Sequence, residues 1–390
     1  MLNLIPSTYV SKLWITLAAL LLTSQAQAQV PAAPDIGASS YILIDFHSGE
    51  TVASKDADRL VEPASITKLM TGYVVFSEIE AGRLGLADIV RISEKAWRTG
   101  GSRMFVEVDT EVSVEDLLRG VIIQSGNDAS VALAEHVAGS EEVFAQMMNT
   151  EAERLGMSNS HFRNATGLPA PDHLTTARDI ALLARDMIAR FPEFYRWYSE
   201  REFTYNNITQ QNRNRLLARD PSVDGLKTGH TEAAGYCLAT SAVRDGMRLI
   251  SVVMGTASEN ARASASQALL NYGFRFFETF KLYSAGDVVA TAEVWKGRGD
   301  EMRLAVAEDI YVTIPRGRQG DLGAALHIPA PAIAPFDAGQ NFGELAIEFG
   351  SDTRLSRPLL VVDAVPAAGW WGRTTDTVGL WFNGLFGGDD

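Results

Sequence analysis

The sequence predicts an α/β domain whose sheet is completed by strands from both ends of the segment, followed by a small all-β domain and an amphipathic C-terminal tail. Three observations lead to this. Strand-like stretches at 40–57 and 235–256 bracket several helical patterns, as expected when sequence-distant strands share one sheet. Beyond Gly286 the apolar periodicity changes to short alternating runs. The final stretch spaces large apolar side chains at a helical interval.

The chain begins with "MLNLIPSTYVSKLWITLAALLLTSQAQAQ", in which Lys12 precedes an apolar run from Leu13 to Leu22 and the small-residue pattern Ala26-Gln27-Ala28. Residues 1–28 read as a signal peptide, the apolar run being shorter than the roughly 20 residues of a spanning helix. A small-residue linker around Pro31–Pro34 follows.

The 390 residues are 46% hydrophobic and contain one cysteine, Cys237, so an exported chain must rely on its core and not on an internal disulfide. Cys237 lies in the apolar run "GYCLATSAV" and reads as a packed thiol. A formal charge of −14 argues against nucleic acid and against electrostatic attraction to anionic lipid.

Taken in order, "SYILIDFHSGETVASKDA" predicts two strands joined at His47-Ser48-Gly49. Helices are expected from near Ser65, from after Asn127 (with Val131, Ala134, Glu135 and Ala138), and over "ARDIALLARDMIARF", where Ile180, Leu183, Met187 and Phe191 share a face. Residues 235–256 predict a hairpin turning near Asp245-Gly246. In the all-β part, Ile310, Val312, Ile314 and Leu345, Ile347, Phe349 mark half-buried strands, and "HIPAPAIAPFDAG" a loop or edge. The expected limits are 37–283 for the α/β domain, 284–365 for the β domain and 366–390 for the tail.

The stretch "VEPASITKLMTGYV" places Ser65 and Lys68 one helical turn apart, on one face. Near a helix N-terminus and among Ile66, Leu69 and Met70, the amine is disfavoured in its charged form, which makes it a base beside a nucleophile. Ser-x-x-Lys alone is common by chance. Here Ser125-Gly126-Asn127 and Lys227-Thr228-Gly229 follow in the order that marks penicillin-binding proteins and related β-lactamases.

With these motifs and the stretches "GGSRMF", "DLLRGVIIQSGNDA", "ITQQNRN" and "DGLKTGHT", the sequence resembles the low-molecular-mass penicillin-binding proteins, serine-type D-Ala-D-Ala carboxypeptidases of cell-wall metabolism. The resemblance implies a penicillin-binding/serine β-lactamase-like transpeptidase domain followed by the β domain and an amphipathic membrane-anchoring helix. It implies removal of the terminal D-alanine from peptidoglycan pentapeptides through an acyl-enzyme on Ser65, with Lys68 as base and Ser125 as proton relay, and inhibition by β-lactams. Asn127 would hold the substrate amide, and Lys227, Thr228 and Arg213 the terminal carboxylate. The backbone N–H groups of Ser65 and His230 would form the oxyanion hole, with Gly229 between the third motif's polar residues and His230. The implied place is the periplasm, at the outer face of the inner membrane. No metal or cofactor is implied; His47, His136, His161, His173 and His327 have no ligand-like spacing, and Gly100-Gly101 and Gly225 read as turn glycines.

The alternatives are a β-lactamase, a related transpeptidase or endopeptidase, and a non-catalytic cell-wall scaffold. A β-lactamase needs a further base, for which Glu202 before Asn206 is poorly placed. A scaffold predicts eroded motifs, and none is eroded. In the tail, Trp370, Trp371, Trp381, Leu385 and Phe386 suit a bilayer interface, whereas Arg373 is the only cation against Asp376, Asp389 and Asp390.

Overall fold

A computed structural model describes residues 30–370. The expected signal peptide and residues 371–390 of the expected tail lie outside the described residues.

The first sheet contains β1 (Ser40–Asp45), β2 (Thr51–Lys55), β3 (Val223–Thr231), β4 (Gly235–Arg244) and β5 (Met247–Thr256) in the order β2-β1-β5-β4-β3. All neighbours are antiparallel, and Ile42 faces Val252 while Lys227 faces Ala239. The two hairpins turn where the sequence predicts. Every residue of β1 is buried, because helices cover both faces of the sheet. Ile42, Ile44, Ile250 and Val252 join the large core around α1 (Lys68–Glu80), α2 (Asn127–Ala138), α3 (Glu141–Arg154) and α4 (Ala177–Arg190). Leu43 and Leu249 alternate to the other face, under α5 (Glu259–Phe276).

The sequence pattern did not reveal α5, since its Ala and Ser residues give little contrast between faces; Ser258 caps it by accepting from the Ala261 N–H. The helix expected from Ser65 also differs in its start. Residues Ala64–Thr67 form a 3₁₀ turn and the α-helix proper begins at Lys68. Gly225, expected in a turn, lies within β3.

The second layer contains β6 (Phe277–Tyr283), β7 (Val288–Trp295), β8 (Glu301–Val306), β9 (Ile310–Pro315), β10 (Leu322–His327), β11 (Ala332–Ile333), β12 (Asn341–Phe349) and β13 (Asp352–Val361). Six of these form one sheet in the order β10-β12-β13-β8-β7-β11, and β6 pairs with β9. The pairing takes Phe277–Tyr283 into the β part, ahead of the change in sequence pattern. Leu304, Ile310, Ile314, Leu345, Ile347 and Leu359 fill its core. The Pro-rich stretch supplies the last residue of β10, the two-residue edge strand β11 and a Phe336–Val365 bridge. Residues 366–368 still pair with the turn between β7 and β8, through a Gly297–Ala367 bridge and an Ala368 N–H bond to Lys296 O. Among the described residues no helix is long and apolar enough to cross a membrane.

The two cores are joined by a hydroxyl cluster around the buried carboxylate of Asp45. Ser48 Oγ donates to its Oδ1 at 3.0 Å and Thr279 Oγ1 to its Oδ2 at 2.8 Å, and Thr313 Oγ1 lies 2.7 and 2.9 Å from these two hydroxyls, where its single O–H can donate to one of them. A buried carboxyl group is tolerable there because hydroxyl and N–H donors surround it.

Candidate active site

The edge strand β3 runs beside the 3₁₀ turn at Ala64–Thr67, and their close approach requires Gly229. A Cβ there would lie 3.1 Å from both Pro63 O and Ile66 Cγ1. Ser65, Ser102, Ser125, Arg213, Thr228 and His230 line a cavity of about 180 Å³ in the angle between these elements. Larger hollows of about 460 and 640 Å³ lie where the two layers meet, and neither is lined by serine or cysteine.

Lys68 is 1% exposed, and its Nζ reaches Asn127 Oδ1 at 2.6 Å, Thr166 O at 2.5 Å and Ser65 Oγ at 3.2 Å. Burial pulls its pKa down to about 7, the Arg213 charge adds to the effect, and Asp128 opposes it. A neutral amine has two N–H groups and one lone pair. The two short contacts, both to carbonyl-type oxygens, take the N–H groups and leave the lone pair for the Ser65 hydroxyl. The arrangement can therefore deprotonate Ser65 at neutral pH.

Ser125 ends a π-helical turn over Gly120–Gln124 with φ of 67°, a left-handed conformation uncommon for serine. That conformation brings its side chain into the cavity lining. Its Oγ is buried and has no hydrogen-bond partner. Asn127, at the start of α2, spends its oxygen on Lys68 and donates from Nδ2 to Gly100 O at 2.7 Å. Arg213 reaches the cavity from the far side and donates from Nε to Gln124 O at 2.9 Å.

Lys227 is buried, with one contact to Thr228 O at 3.1 Å. Burial, and then the charges of Lys68, Arg213 and Arg262, hold its pKa well below the usual lysine range. Cations gathered this closely make a site suited to an anion, whose binding would relieve their mutual repulsion. His230 stacks on Tyr236, with ring centroids 4.0 Å apart.

The structure thus gathers Ser65, Lys68, Ser125, Asn127, Arg213 and residues 227–230 around one cavity and its supporting hydrogen bonds. It also shows participants that the sequence reading missed. Arg262, from α5, donates to Gly229 O at 3.1 Å, and Thr166 contributes only its backbone carbonyl to Lys68. Neither falls in a motif, and only the packing of α5 and of the 162–173 loop beside the site reveals them. Glu202 bonds Gln211 Nε2 within the hairpin 202–211 and does not line the cavity. Cys237 is buried within β4, its thiol pushed up to about 11 by burial, as suits a packed residue.

Known proteins match most of the chain. The D-alanyl-D-alanine carboxypeptidase family (peptidase S11) matches residues 26–258, and the penicillin-binding protein 5 C-terminal domain matches 277–367. The D-alanyl-D-alanine carboxypeptidase DacC of Escherichia coli is 43% identical over 373 residues, 94% of this chain and 93% of that protein. DacF of Bacillus subtilis is 35% identical, covering 88% and 90%. The crystal structure of penicillin-binding protein 5 from Haemophilus influenzae superposes with a TM-score of 0.84 at 40% identity, covering 86% of this chain and 99% of that one. Penicillin-binding protein D2 of Listeria monocytogenes, in its ampicillin-bound form, superposes with a TM-score of 0.57 at 29% identity, covering 62% and 100%. The chain belongs to the D-alanyl-D-alanine carboxypeptidase family, serine-type peptidases of the low-molecular-mass penicillin-binding class.

Proposed function

We propose that this carboxypeptidase works through Ser65 as nucleophile and neutral Lys68 as its base. The supporting observation is that two oxygen acceptors occupy the amine's N–H groups and aim its lone pair at Ser65. Ser65 Oγ attacks the carbonyl between the last two D-alanines of a peptidoglycan pentapeptide as its proton passes to Lys68. Backbone N–H groups of Ser65 and His230 receive the charge that develops on the carbonyl oxygen. Ser125, whose hydroxyl is uncommitted, relays a proton to the departing amine. Free D-alanine leaves, and water then hydrolyses the ester.

Exopeptidase selectivity follows from the cations. Arg213, Lys227 and Thr228 take the substrate's terminal carboxylate, and the second N–H of Asn127 Nδ2, the first being held by Gly100 O, is offered to the substrate amide. Arg213 offers the planar fork, and Lys227 becomes the point charge once the bound carboxylate offsets the neighbouring cations that hold its pKa down. β-Lactams, whose ring carbonyl and carboxylate mimic this substrate, acylate the same serine; the Listeria relative is known in an ampicillin-bound form.

The test is release of D-alanine from a D-Ala-D-Ala pentapeptide by the mature protein, with mass mapping of a penicillin adduct. Label on the peptide carrying Ser65 supports the reading. Label on another peptide, or no turnover, overturns it.

Cleavage after Ala28 would place the mature enzyme in the periplasm, with the tail holding it to the outer face of the inner membrane. The apolar residues of the tail support this reading, and its shortage of cations gives the binding its character. Vesicle sedimentation should show attachment that depends little on salt and disappears on deletion of residues 370–390. Failure to bind vesicles of either neutral or anionic lipid removes the anchor.

A further inference from the structure

Beneath the nucleophile turn lies a closed loop, residues 162–173. Its ends are pinned by reciprocal backbone bonds between His161 and Leu174, at 2.8 and 3.1 Å. Inside it, Asn164 Oδ1 accepts from the N–H groups of Thr166 and Gly167 and from the Thr166 hydroxyl, at 3.1, 2.7 and 2.9 Å. The turn this creates aims Thr166 O at Lys68, and Thr71 Oγ1 donates to the neighbouring Ala165 O at 2.7 Å.

One buried titratable side chain in this loop has no part in the chemistry described above. His173 is 2% exposed. Its Nδ1 accepts the Arg163 backbone N–H at 3.3 Å, so the proton of the neutral ring sits on Nε2 and is donated to Thr67 Oγ1, 2.9 Å away. Thr67 immediately precedes Lys68. The ring therefore joins the start of the loop to the turn that carries both Ser65 and Lys68.

We infer that His173 is a positioning residue for the base: as a neutral imidazole it locks the 162–173 loop onto Thr67, keeping Thr166 O on the Lys68 amine and water away from it. This inference rests on Lys68 acting as the base. Burial, then the nearby His161 and Arg163, hold the ring neutral down to about pH 4, so the lock is closed at working pH. Arg163 also faces Asp172 across the loop, and the charged groups that face Lys68 are Arg213, Asp128 and Lys227.

Loosening the lock has a directional consequence. Burial is the largest cause of the low Lys68 pKa, so admitting water raises that pKa and shrinks the neutral fraction of the amine. Loss of the Thr166 acceptor would act in the opposite sense, but the entering water replaces it as an acceptor.

The experiment is the pH profile of acylation by a fluorescent penicillin in the full mature protein. His173→Leu and Thr67→Val each break the lock from one side, and His173→Gln restores a donor toward Thr67. The wild type should show an acidic limb near pH 7. In His173→Leu and Thr67→Val the limb should move up by about one pH unit, a roughly tenfold smaller neutral fraction below it, with rates converging at high pH. His173→Gln should return the limb toward the wild type. If folded variants keep the limb in place and lose only active fraction or melting temperature, the role is merely structural and the inference fails. A wild type with no limb near 7 removes the base assignment, and the inference with it; an unmoved limb in the variants leaves that assignment intact.

Discussion

Lys68 Nζ and Asn127 Oδ1 lie 2.6 Å apart, and the acceptor is an uncharged amide where a carboxylate would also fit. The choice matters because a carboxylate at this distance would hold the amine as ammonium, with no lone pair for Ser65. Asn127→Asp should therefore lower acylation at pH 7 by about 10²–10⁴-fold, the usual contribution of a general base. Its acidic limb should lie well above that of the wild type. Stopped-flow acylation across pH 6–10 measures both. Equal limbs in the two proteins would mean that Lys68 does not carry the limb.

Arg213 and Lys227 make a different prediction because they face the substrate's end and not the reacting carbonyl. Arg213→Ala should reduce kcat/KM for a pentapeptide with a free C-terminus by about 10–100-fold, corresponding to roughly 1.5–3 kcal/mol for a charged hydrogen bond. A substrate amidated at its C-terminus should be processed poorly and almost equally by both proteins. Equal losses on the two substrates would show that Arg213 supports the site without reading the carboxylate.

The low pKa of His173 also makes stability depend on pH. The folded ring titrates near 4 against an ordinary 6.5, so the unfolded chain binds the proton more readily. Stability from the neutral ring is complete above about 6.5 and is lost as pH falls toward 4, by at most about 3 kcal/mol. Denaturant titrations at pH 7, 5.5 and 4 should show a shallower decline in His173→Gln than in the wild type. Parallel declines would place the proton-sensitive group elsewhere.

Much of the site was legible because its chemistry is written in side chains. A nucleophile, a base one turn away, a serine and asparagine pair and a cationic strand are short local patterns, and each motif sits on a rigid element beside the same cavity. The hairpin at Asp245-Gly246 was legible for a similar reason, since a glycine in the left-handed region punctuates two apolar strands. Contributions made by packing carry no such sign. Thr166 acts through its carbonyl, which any residue has; Arg262 belongs to a helix too rich in Ala and Ser to show a face; His173 reads as an isolated histidine until the loop closes. Gly167 belongs with these. At φ 81° its missing side chain leaves room for Ala64 O, which would lie 1.8 Å from a Cβ. Nothing in its neighbours' sequence announces that approach.

The final prediction concerns Asp128, next to Asn127 and fully buried. Its Oδ1 accepts the backbone N–H groups of Met104 and Ala129 at 2.8 and 2.9 Å, and Oδ2 those of Phe105 and Val106 at 2.9 and 3.3 Å. The 100–106 loop is therefore hung from one carboxylate, and the same loop supplies Gly100 O to Asn127 Nδ2 and Ser102 O to the Asn127 N–H. Asp128→Asn keeps the shape but turns an NH₂ group toward backbone donors, leaving at least two of them without an acceptor. Losing charge-assisted bonds and burying unpaired N–H groups should cost about 2–4 kcal/mol. In a domain of this size that corresponds to a melting temperature lower by roughly 5–15 °C. The damage should also reach the chemistry, because a slack loop releases Asn127 from its second anchor and lets its oxygen drift from Lys68. Acylation by a β-lactam should slow even well below the melting temperature, with no change in which serine is labelled. A melting temperature within a degree of the wild type, with unchanged acylation, would show that the loop holds its place without this carboxylate.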